Sequence, residues 1–203
     1  MDKIYLSPAQ DGTGEITEKR SRFIGNISRV SSESEALDFI KHIKKKYYDA
    51  KHSAYAYITD GIKRYSDDGE PAKTAGLPIL DMLDNMQITD CVCVVTRYFG
   101  GILLGTGGLV RSYTAAAKAA LDNAGIKKMT LHDKYLMKVP YSVFDSLKYI
   151  SSEFGCEFTD CEFTDKIQLT AICEIDKSSN LLNKITSAFG ANIEIEHIEC
   201  IYR

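Results

Sequence analysis

Hydrophobic and polar positions follow two different patterns along the chain, and the change falls near residue 131. Before that point, short alternating segments and helical segments are separated by glycines. Cys91–Phe99 is an almost unbroken, β-branched apolar run, which is typical of a strand buried on both faces. Gly107–Ala124 repeats apolar residues at helical spacing, and Gly125 follows it as a residue that ends helices. This half is therefore predicted to mix helices and strands.

Turn and cap residues mark further elements in the same half. Ser32 and Glu35 have the spacing of a capping box, so a helix is expected to start there. Asp60-Gly61 favours a hairpin turn between two short strands. The other predicted elements are strands at 22–30 and 54–58 and a helix at 74–86.

After residue 131 the predicted order is strand, helix, strand, strand, helix, strand. The segment Ile167–Ile175 alternates cleanly between apolar and polar residues, as a half-buried strand does. The order βαββαβ is that of a ferredoxin-like split βαβ unit. We therefore predict an α+β chain with two domains, residues 1–130 and 131–203, and a boundary near Lys128–His132.

Composition excludes several classes of protein. With 203 residues, 44% hydrophobic and 26% charged, the chain matches neither fibrous nor disordered proteins. No apolar run approaches the ~18–20 residues of a membrane helix, and the segment 1–16 lacks the pattern of a signal peptide. The six cysteines show no Cys-x-x-Cys spacing, so we expect reduced structural thiols and a cytoplasmic location.

Charge is distributed unevenly over the two predicted domains. The formal net charge is −3; residues 131–203 carry 7 Lys+Arg against 12 Asp+Glu, so they account for −5 and residues 1–130 for +2. Binding to nucleic acid would therefore need a local patch in the first domain. The lysines on the first predicted helix are typical of a solvated face, with a nucleic-acid patch as the alternative; they are Lys41, Lys44, Lys45 and Lys46.

A glycine-rich segment joins the buried strand to the following helix. Five glycines occur in the nine residues 100–108, and arginines flank the segment. Exposed amides at a helix start, together with arginine, can bind an anion or a phosphate group. The candidate ligand-binding residues for phosphate or RNA are Arg97, Gly105, Thr106, Gly107, Gly108 and Arg111. The alternative is that the glycines only permit tight packing, and the segment matches neither Walker A nor the dinucleotide fingerprint.

A second candidate is the acidic segment before the predicted helix at 74–86. Asp67, Asp68 and Glu70 are close enough to repel one another unless a cation or other donors intervene, and Mg²⁺ prefers such oxygen ligands. The alternative is an ordinary charged turn. His52, at the start of a strand, is either a base or a structural hydrogen-bonding residue. The metal or polar cluster expected from the sequence is thus His52, Asp67, Asp68 and Glu70, and the cofactor that would fit it is magnesium.

Four motifs together carry a resemblance to a known family. They are Ser21–Ile24, Asp49–His52, 66–76 and Arg97–Arg111. Over about residues 15–125 the chain resembles the YigZ/IMPACT family, and residues 131–203 look like the C-terminal domain of its bacterial YigZ branch. Leu103 departs from the pattern, which has lysine there, so the proposed anion receptor lacks one positive charge.

The resemblance implies a fold and a class of function. The N-terminal domain is expected to be similar to a βαβ-type fold shared by ribosomal proteins and small-molecule kinases, and the C-terminal domain to resemble the last domain of elongation factor G. The family implies regulation of translation through protein contacts in eukaryotes, and a nucleic-acid or ribosome-linked role in bacteria. It supplies no catalytic residue.

We therefore expect a translation-associated regulatory or binding protein. Its partner would be RNA, the ribosome or a translation-related protein, engaged through the N-terminal domain, with no membrane partner. One alternative is a magnesium-dependent nucleotide-binding protein or enzyme that uses the acidic segment and the glycine-rich loop. The other is a regulator that acts through protein contacts alone. The oligomeric state stays open.

Overall fold

Residues 4–203 are described by a computed structural model, which divides them between two units: Tyr5–Lys128, and Met129–Arg203 together with Ile4. The strands of the first part of the chain are β1 (Ile4–Pro8), β2 (Gly12–Glu18), β3 (Ser21–Arg29), β4 (His52–Thr59), β5 (Ile62–Ser66) and β6 (Cys91–Tyr98). Its helices are α1 (Glu33–Lys46), α2 (Gly76–Asn85) and α3 (Gly105–Ala124). The remaining elements are β7 (Ile126–Val139), α4 (Tyr141–Glu153), β8 (Glu157–Phe163), β9 (Ile167–Glu174), α5 (Ile175–Phe189) and β10 (Glu194–Tyr202), with a short 3₁₀ turn at Gly190–Asn192.

The sheet of the first unit has the strand order β2-β3-β6-β4-β5 and is antiparallel throughout. Its central strand, β6, is buried along all but its last residue, which confirms the prediction from its apolar run. Val92 and Val94 pack with residues of α1, whereas Cys93 and Val95 pack with residues of α2 and α3. The sheet is therefore covered by helices on both faces, although its strands are not parallel.

The connection through α1 gives this unit its βαβ character. Strands β3 and β4 both pair antiparallel to β6, so they run parallel to each other with β6 between them. The predicted cap is present at the start of α1: the Glu35 amide donates to Ser32 Oγ at 3.3 Å. The Glu35 carboxylate accepts from the Ser31 amide at 2.7 Å, one residue earlier than a standard capping box has it.

Two strands at the beginning of the chain, β1 and β2, were not predicted from the sequence. Glycines lower the strand signal of β2, but they are needed because α3 packs directly on the backbone of the sheet. A Cβ at Gly14 would lie 2.4 Å from the carbonyl carbon of Ala119, and one at Gly25 would lie 2.4 Å from the Ala116 oxygen. At these two positions the glycines serve tight packing.

The second unit confirms the predicted βαββαβ order. Its strands are arranged β8-β9-β7-β10, all in antiparallel pairs, which is the ferredoxin-like arrangement. The residues that alternate in β9, among them Leu169 and Ala171, are buried. They pack with Leu147 of α4 and Leu181 of α5. Strand β7 begins at Ile126, earlier than predicted, because its first residues are mostly polar and exposed and so give no alternating signal.

The cysteines have no disulfide partners, and the helices are those of a chain without a membrane-spanning helix in its described part. The six cysteines are free thiols, and Cys91, Cys93 and Cys173 are buried. Burial raises the pKa of Cys93 to about 12, so this thiol behaves as a small apolar group. Within residues 4–203, no helix is long and apolar enough to cross a membrane.

Candidate functional site

Asp67 holds the start of α2. The residue before this helix is Ala75, which has no side-chain acceptor to cap it. Asp67 Oδ1 instead accepts from the amides of Ala75 and Gly76 at 3.0 and 2.8 Å, and its Oδ2 accepts from the Lys73 amide at 2.8 Å. A carboxylate at the positive end of a helix is stabilising, so Asp67 acts as a structural cap.

Asp68 ties the same loop to α1 and β4. One carboxylate oxygen accepts from Lys44 Nζ at 2.7 Å, and the other accepts from the Ser53 amide at 2.7 Å. The Asp68 carbonyl lies 2.9 Å from His52 Nδ1. Because a carbonyl can only accept, Nδ1 is the donor in this hydrogen bond. This hydrogen bond fits the interpretation of His52 as a structural residue better than its interpretation as a base.

Glu70 belongs to a buried network with Arg97 and Tyr113. Glu70 Oε1 accepts from Arg97 Nη1 at 2.7 Å and from the Tyr113 hydroxyl at 2.9 Å. The Arg97 and Glu70 side chains are only 7% and 4% exposed. The Arg97 guanidinium also lies 5.4 Å from the ring centres of Phe23 and Phe99, within range of cation–π attraction. We call Glu70, Arg97 and Tyr113 the buried network.

Tyr113 remains protonated in the buried network. Burial raises the pKa of its phenol, and the negative charge of Glu70 raises it further. The hydroxyl is therefore a donor to Glu70 at neutral pH, and it links α3 to the loop that precedes α2. The apolar spacing of α3 marked Tyr113 as core, and only the buried carboxylate opposite it shows its polar role.

Asp67, Asp68, Glu70 and His52 each hydrogen-bond to different protein groups. Asp67 is bound by backbone amides, Asp68 by Lys44 and a backbone amide, and Glu70 by an arginine and a tyrosine. Among residues 4–203, the one group of His, Cys, Asp or Glu side chains whose ligand atoms are close enough to share a metal ion lies elsewhere. It does not include these residues. Because protein donors already neutralise the carboxylates, the structure favours a structural role over magnesium binding at this segment.

The start of α3 faces solvent. The helix begins at Gly105, two residues before the predicted start, and Leu104 before it provides no side-chain cap. Gly105 has φ +70°, and a Cβ there would meet nothing within 4 Å. Thr106 and Gly107 are exposed as well, whereas Gly108 is buried. The first amides of a twenty-residue helix are thus left open.

Arg111 lies beside these amides and is exposed. A Cβ at Gly107 would lie 3.5 Å from Arg111 Nη1, so the guanidinium lies over the first turn of its own helix. Among the residues that the structure describes, Arg111 has no ion-pair partner. We call Gly105–Gly108 together with Arg111 the α3 start.

The loop before α3 exposes apolar side chains. Phe99, Ile102 and Leu103 are 54%, 42% and 83% exposed. Ser21 Oγ accepts from the Gly100 amide at 3.1 Å and so holds the beginning of this loop to β3. The residues just before the α3 start therefore expose apolar side chains to solvent.

The two arginines of the predicted receptor are in different environments. Their positions in the sequence predicted Arg97 and Arg111 around one anion, but Arg97 is committed to the internal ion pair with Glu70. Arg111 and the exposed glycines of the α3 start, Gly105 and Gly107, remain available. The free cationic group of the proposed receptor is therefore that of Arg111.

Comparison with known proteins places the chain in a family. A family model described as the Impact N-terminal domain matches residues 19–121, about half of the chain. The IMPACT family member YvyE of Bacillus subtilis (strain 168) is 32% identical, over 98% of this chain and 93% of its own length. The chain belongs to the IMPACT family. The IMPACT family member YigZ of Escherichia coli (strain K12) is 28% identical over 96% of this chain and 98% of its own length.

Other IMPACT relatives match a smaller part of the chain. Protein IMPACT of Danio rerio is 33% identical over 98 residues, which cover 44% of this chain and 30% of that protein. A crystal structure of a hypothetical protein superposes with a TM-score of 0.66 at 26% identity, covering 98% of this chain and 99% of that one. The segment matched by the IMPACT model contains both the buried network and the α3 start.

Proposed function

We propose that this IMPACT family protein is a translation-associated binding protein that engages RNA, including the RNA surface of the ribosome, through the α3 start. The observation that carries the proposal is the open, uncapped start of a twenty-residue helix beside an exposed arginine that is not in an ion pair with another described residue. A phosphate group is the ligand that such an arrangement fits best.

Two kinds of donor support phosphate binding at this place. The amides of the first turn carry a partial positive charge, which contributes only ~0.3–1 kcal/mol at an exposed site. Arg111 adds a full charge and a planar fork of donors that can bind two phosphate oxygens at once. Most of the affinity should therefore depend on the arginine, with the amides fixing the orientation of the phosphate.

The shape of the surface favours a macromolecule over a small ligand. Small-molecule sites are usually concave and bury most of their ligand. Here the glycines at 105 and 107 and the side chain of Leu103 are exposed. The ring of Phe99, which is 54% exposed, offers a face on which an unpaired base can stack.

The magnesium-dependent alternative has less support. It requires carboxylates that are free to hold a cation, and Asp67, Asp68 and Glu70 are all engaged by protein donors. The distribution of charge agrees with RNA contact in the first half of the chain, because residues 131–203 carry a net −5. We therefore retain the RNA-binding proposal as the principal one.

The test compares Arg111→Ala with Arg64→Ala. Arg64 is an exposed arginine on β5 of the same unit, so it controls for the loss of one surface charge. Binding of the full chain to a fluorescent single-stranded RNA is measured over a range of salt concentrations, with ribosome co-sedimentation in parallel. Arg111→Ala should weaken binding about tenfold and lower the slope of log affinity against log salt by about 1.

A second variant separates charge from helix stability. Thr106→Glu places an acidic group in the exposed first turn of α3, where it should stabilise the helix but repel phosphate. We expect it to abolish RNA binding without lowering thermal stability. Equal losses in Arg111→Ala and Arg64→Ala would contradict a defined site. If ribosome binding falls while binding to free RNA is absent from the start, the partner is a protein surface instead.

A further inference from the structure

Strands β7 and β10 of the second unit bring together a carboxylate, an imidazole and a thiol. His197 Nε2 lies 3.0 Å from Asp133 Oδ1, and Cys200 Sγ lies 3.2 Å from the same oxygen. The sulfur and Nε2 are 3.8 Å apart. Asp133 is buried, whereas His197 and Cys200 are exposed, so the group opens to solvent on one side.

A β-bulge makes this grouping possible. His197 and Cys200 are three residues apart, so in a regular strand their side chains would point to opposite faces of the sheet. The pairing of β10 with β7 shifts between His197 and Glu199, which leaves Ile198 as an extra residue. This one-residue insertion returns Cys200 to the face of His197, directly across from Asp133.

The spacing of the three atoms is that of metal ligands. Around a tetrahedral zinc ion, with bonds of about 2.0–2.3 Å, two ligand atoms lie roughly 3.3–3.6 Å apart. The separations of 3.0, 3.2 and 3.8 Å surround these values. Small rotations of the exposed side chains are enough to bring the atoms to the required distances.

We propose that Asp133, His197 and Cys200 form a binding site for a divalent zinc-like cation, with solvent completing the tetrahedron. Nitrogen, sulfur and carboxylate oxygen are the ligands that zinc takes in proteins. The cation would enter from the exposed side, where His197 and Cys200 face solvent. The site is independent of the proposed RNA-binding function, since all its ligands lie in the unit 129–203.

Further residues orient the buried carboxylate. Tyr135 donates to Asp133 Oδ2 at 3.2 Å, and its hydroxyl is also hydrogen-bonded to Ser178. The Tyr135 ring lies edge-on to the His197 ring, with centres 5.3 Å apart. Such outer partners fix the orientation of metal ligands. Here Tyr135 binds Oδ2, so that Oδ1 faces His197 and Cys200.

Binding exchanges protons for the metal. Asp133 accepts a hydrogen bond from Cys200 and raises the pKa of that thiol, so the metal-free protein holds the sulfur as S–H. On binding, the S–H bond breaks and the S–metal bond forms, and one proton is released to solvent. His197 moves its ring proton from Nε2 to Nδ1 through solvent and binds the metal through Nε2. A raised thiol pKa also argues against Cys200 as a nucleophile.

The experiment is a cobalt titration of the full-length protein under reducing conditions, without a histidine tag. Tetrahedral Co²⁺ with one thiolate ligand gives intense visible bands and a sulfur-to-cobalt charge-transfer band. We expect one Co²⁺ per chain, displaced by Zn²⁺. In Cys200→Ser the charge-transfer band should disappear, and in His197→Gln the affinity should fall at least tenfold.

Cys161→Ser is the matched control, because Cys161 is an exposed thiol of the same unit outside the cluster. Its titration should equal that of the unsubstituted chain. Deleting Ile198 should restore regular pairing and remove binding, with circular dichroism to show that the strands remain. A charge-transfer band that persists in Cys200→Ser, or cobalt binding that never saturates at one equivalent, would overturn the proposal.

Discussion

Arg97 and Arg111 flank the same glycine-rich segment, yet the protein uses them in opposite ways. Arg97 lies one residue before the end of the central strand, and its side chain is only 7% exposed where it pairs with Glu70 at 2.7 Å. Arg111 lies in the first turns of α3, exposed and over the backbone of Gly107. The difference shows that two like charges close together in sequence can have separate roles. Arg97 holds the core together, and Arg111 remains available to a ligand.

The largest expected effect comes from breaking the buried network. Arg97→Ala leaves the Glu70 carboxylate buried without its cation, which should cost about 3–5 kcal/mol of unfolding free energy. Urea unfolding followed by circular dichroism measures the loss, and hydrogen-exchange mass spectrometry locates it in residues 5–128. Arg22→Ala is the control, because Arg22 makes an exposed ion pair with Glu15 and should lose far less.

A double variant sharpens this result. Glu70→Gln combined with Arg97→Met removes both charges and should recover much of the stability that Arg97→Ala loses, since two buried charges are replaced by groups that need less solvation. If Arg97→Ala is as stable as the original chain, the ion pair does not hold the first unit together.

The next effect concerns pH and Tyr113. Its pKa is raised in the folded state by burial and by Glu70, whereas in the unfolded chain it titrates near 10. Its contribution to stability is therefore complete below about pH 10 and is lost as the pH rises above that value. In Tyr113→Phe, the stability lost between about pH 10 and 11 should be smaller by about 1 kcal/mol than in the original chain. Parallel curves for the two proteins would contradict the assignment.

The smallest effect on stability is expected at Arg111. Because this side chain has no ion-pair partner among the described residues, Arg111→Ala should change the unfolding free energy by no more than about 0.5 kcal/mol. The same preparation should show the loss of RNA binding described above. A large loss of stability instead would place Arg111 in the folding of α3 and remove the contrast with Arg97.

Periodicity predicted much of the fold and missed one edge of it. The apolar run of β6, the helical spacing of α3 and the βαββαβ order all carry local signals, and each element is present. Strand β2 has no such signal, since Gly12 and Gly14 are unfavourable in strands. Their function is to let α3 approach, and the helix lies about a hundred residues away in sequence.

The sequence indicates which residues form the candidate site, but it does not show which of them pair with one another. The acidic segment and the glycine-rich loop were recognised, and the charged-turn alternative describes Asp67 well. Pairing of Glu70 with Arg97 and Tyr113 depends on tertiary packing, which spacing does not encode. The Asp133 cluster was missed for a similar reason, because its geometry depends on a register shift at Ile198.

The direct contact of α3 with bare strand backbone has a consequence for recognition. Where Gly25 meets the Ala116 carbonyl, not even one extra methyl group fits, so this close packing opposes movement of the helix towards the strand. The amides at its beginning are therefore held in place before any partner arrives, and little ordering is needed on binding. A ligand must then fit a fixed arrangement of amides. A substitution where α3 packs on the sheet can therefore alter binding at the start of the helix.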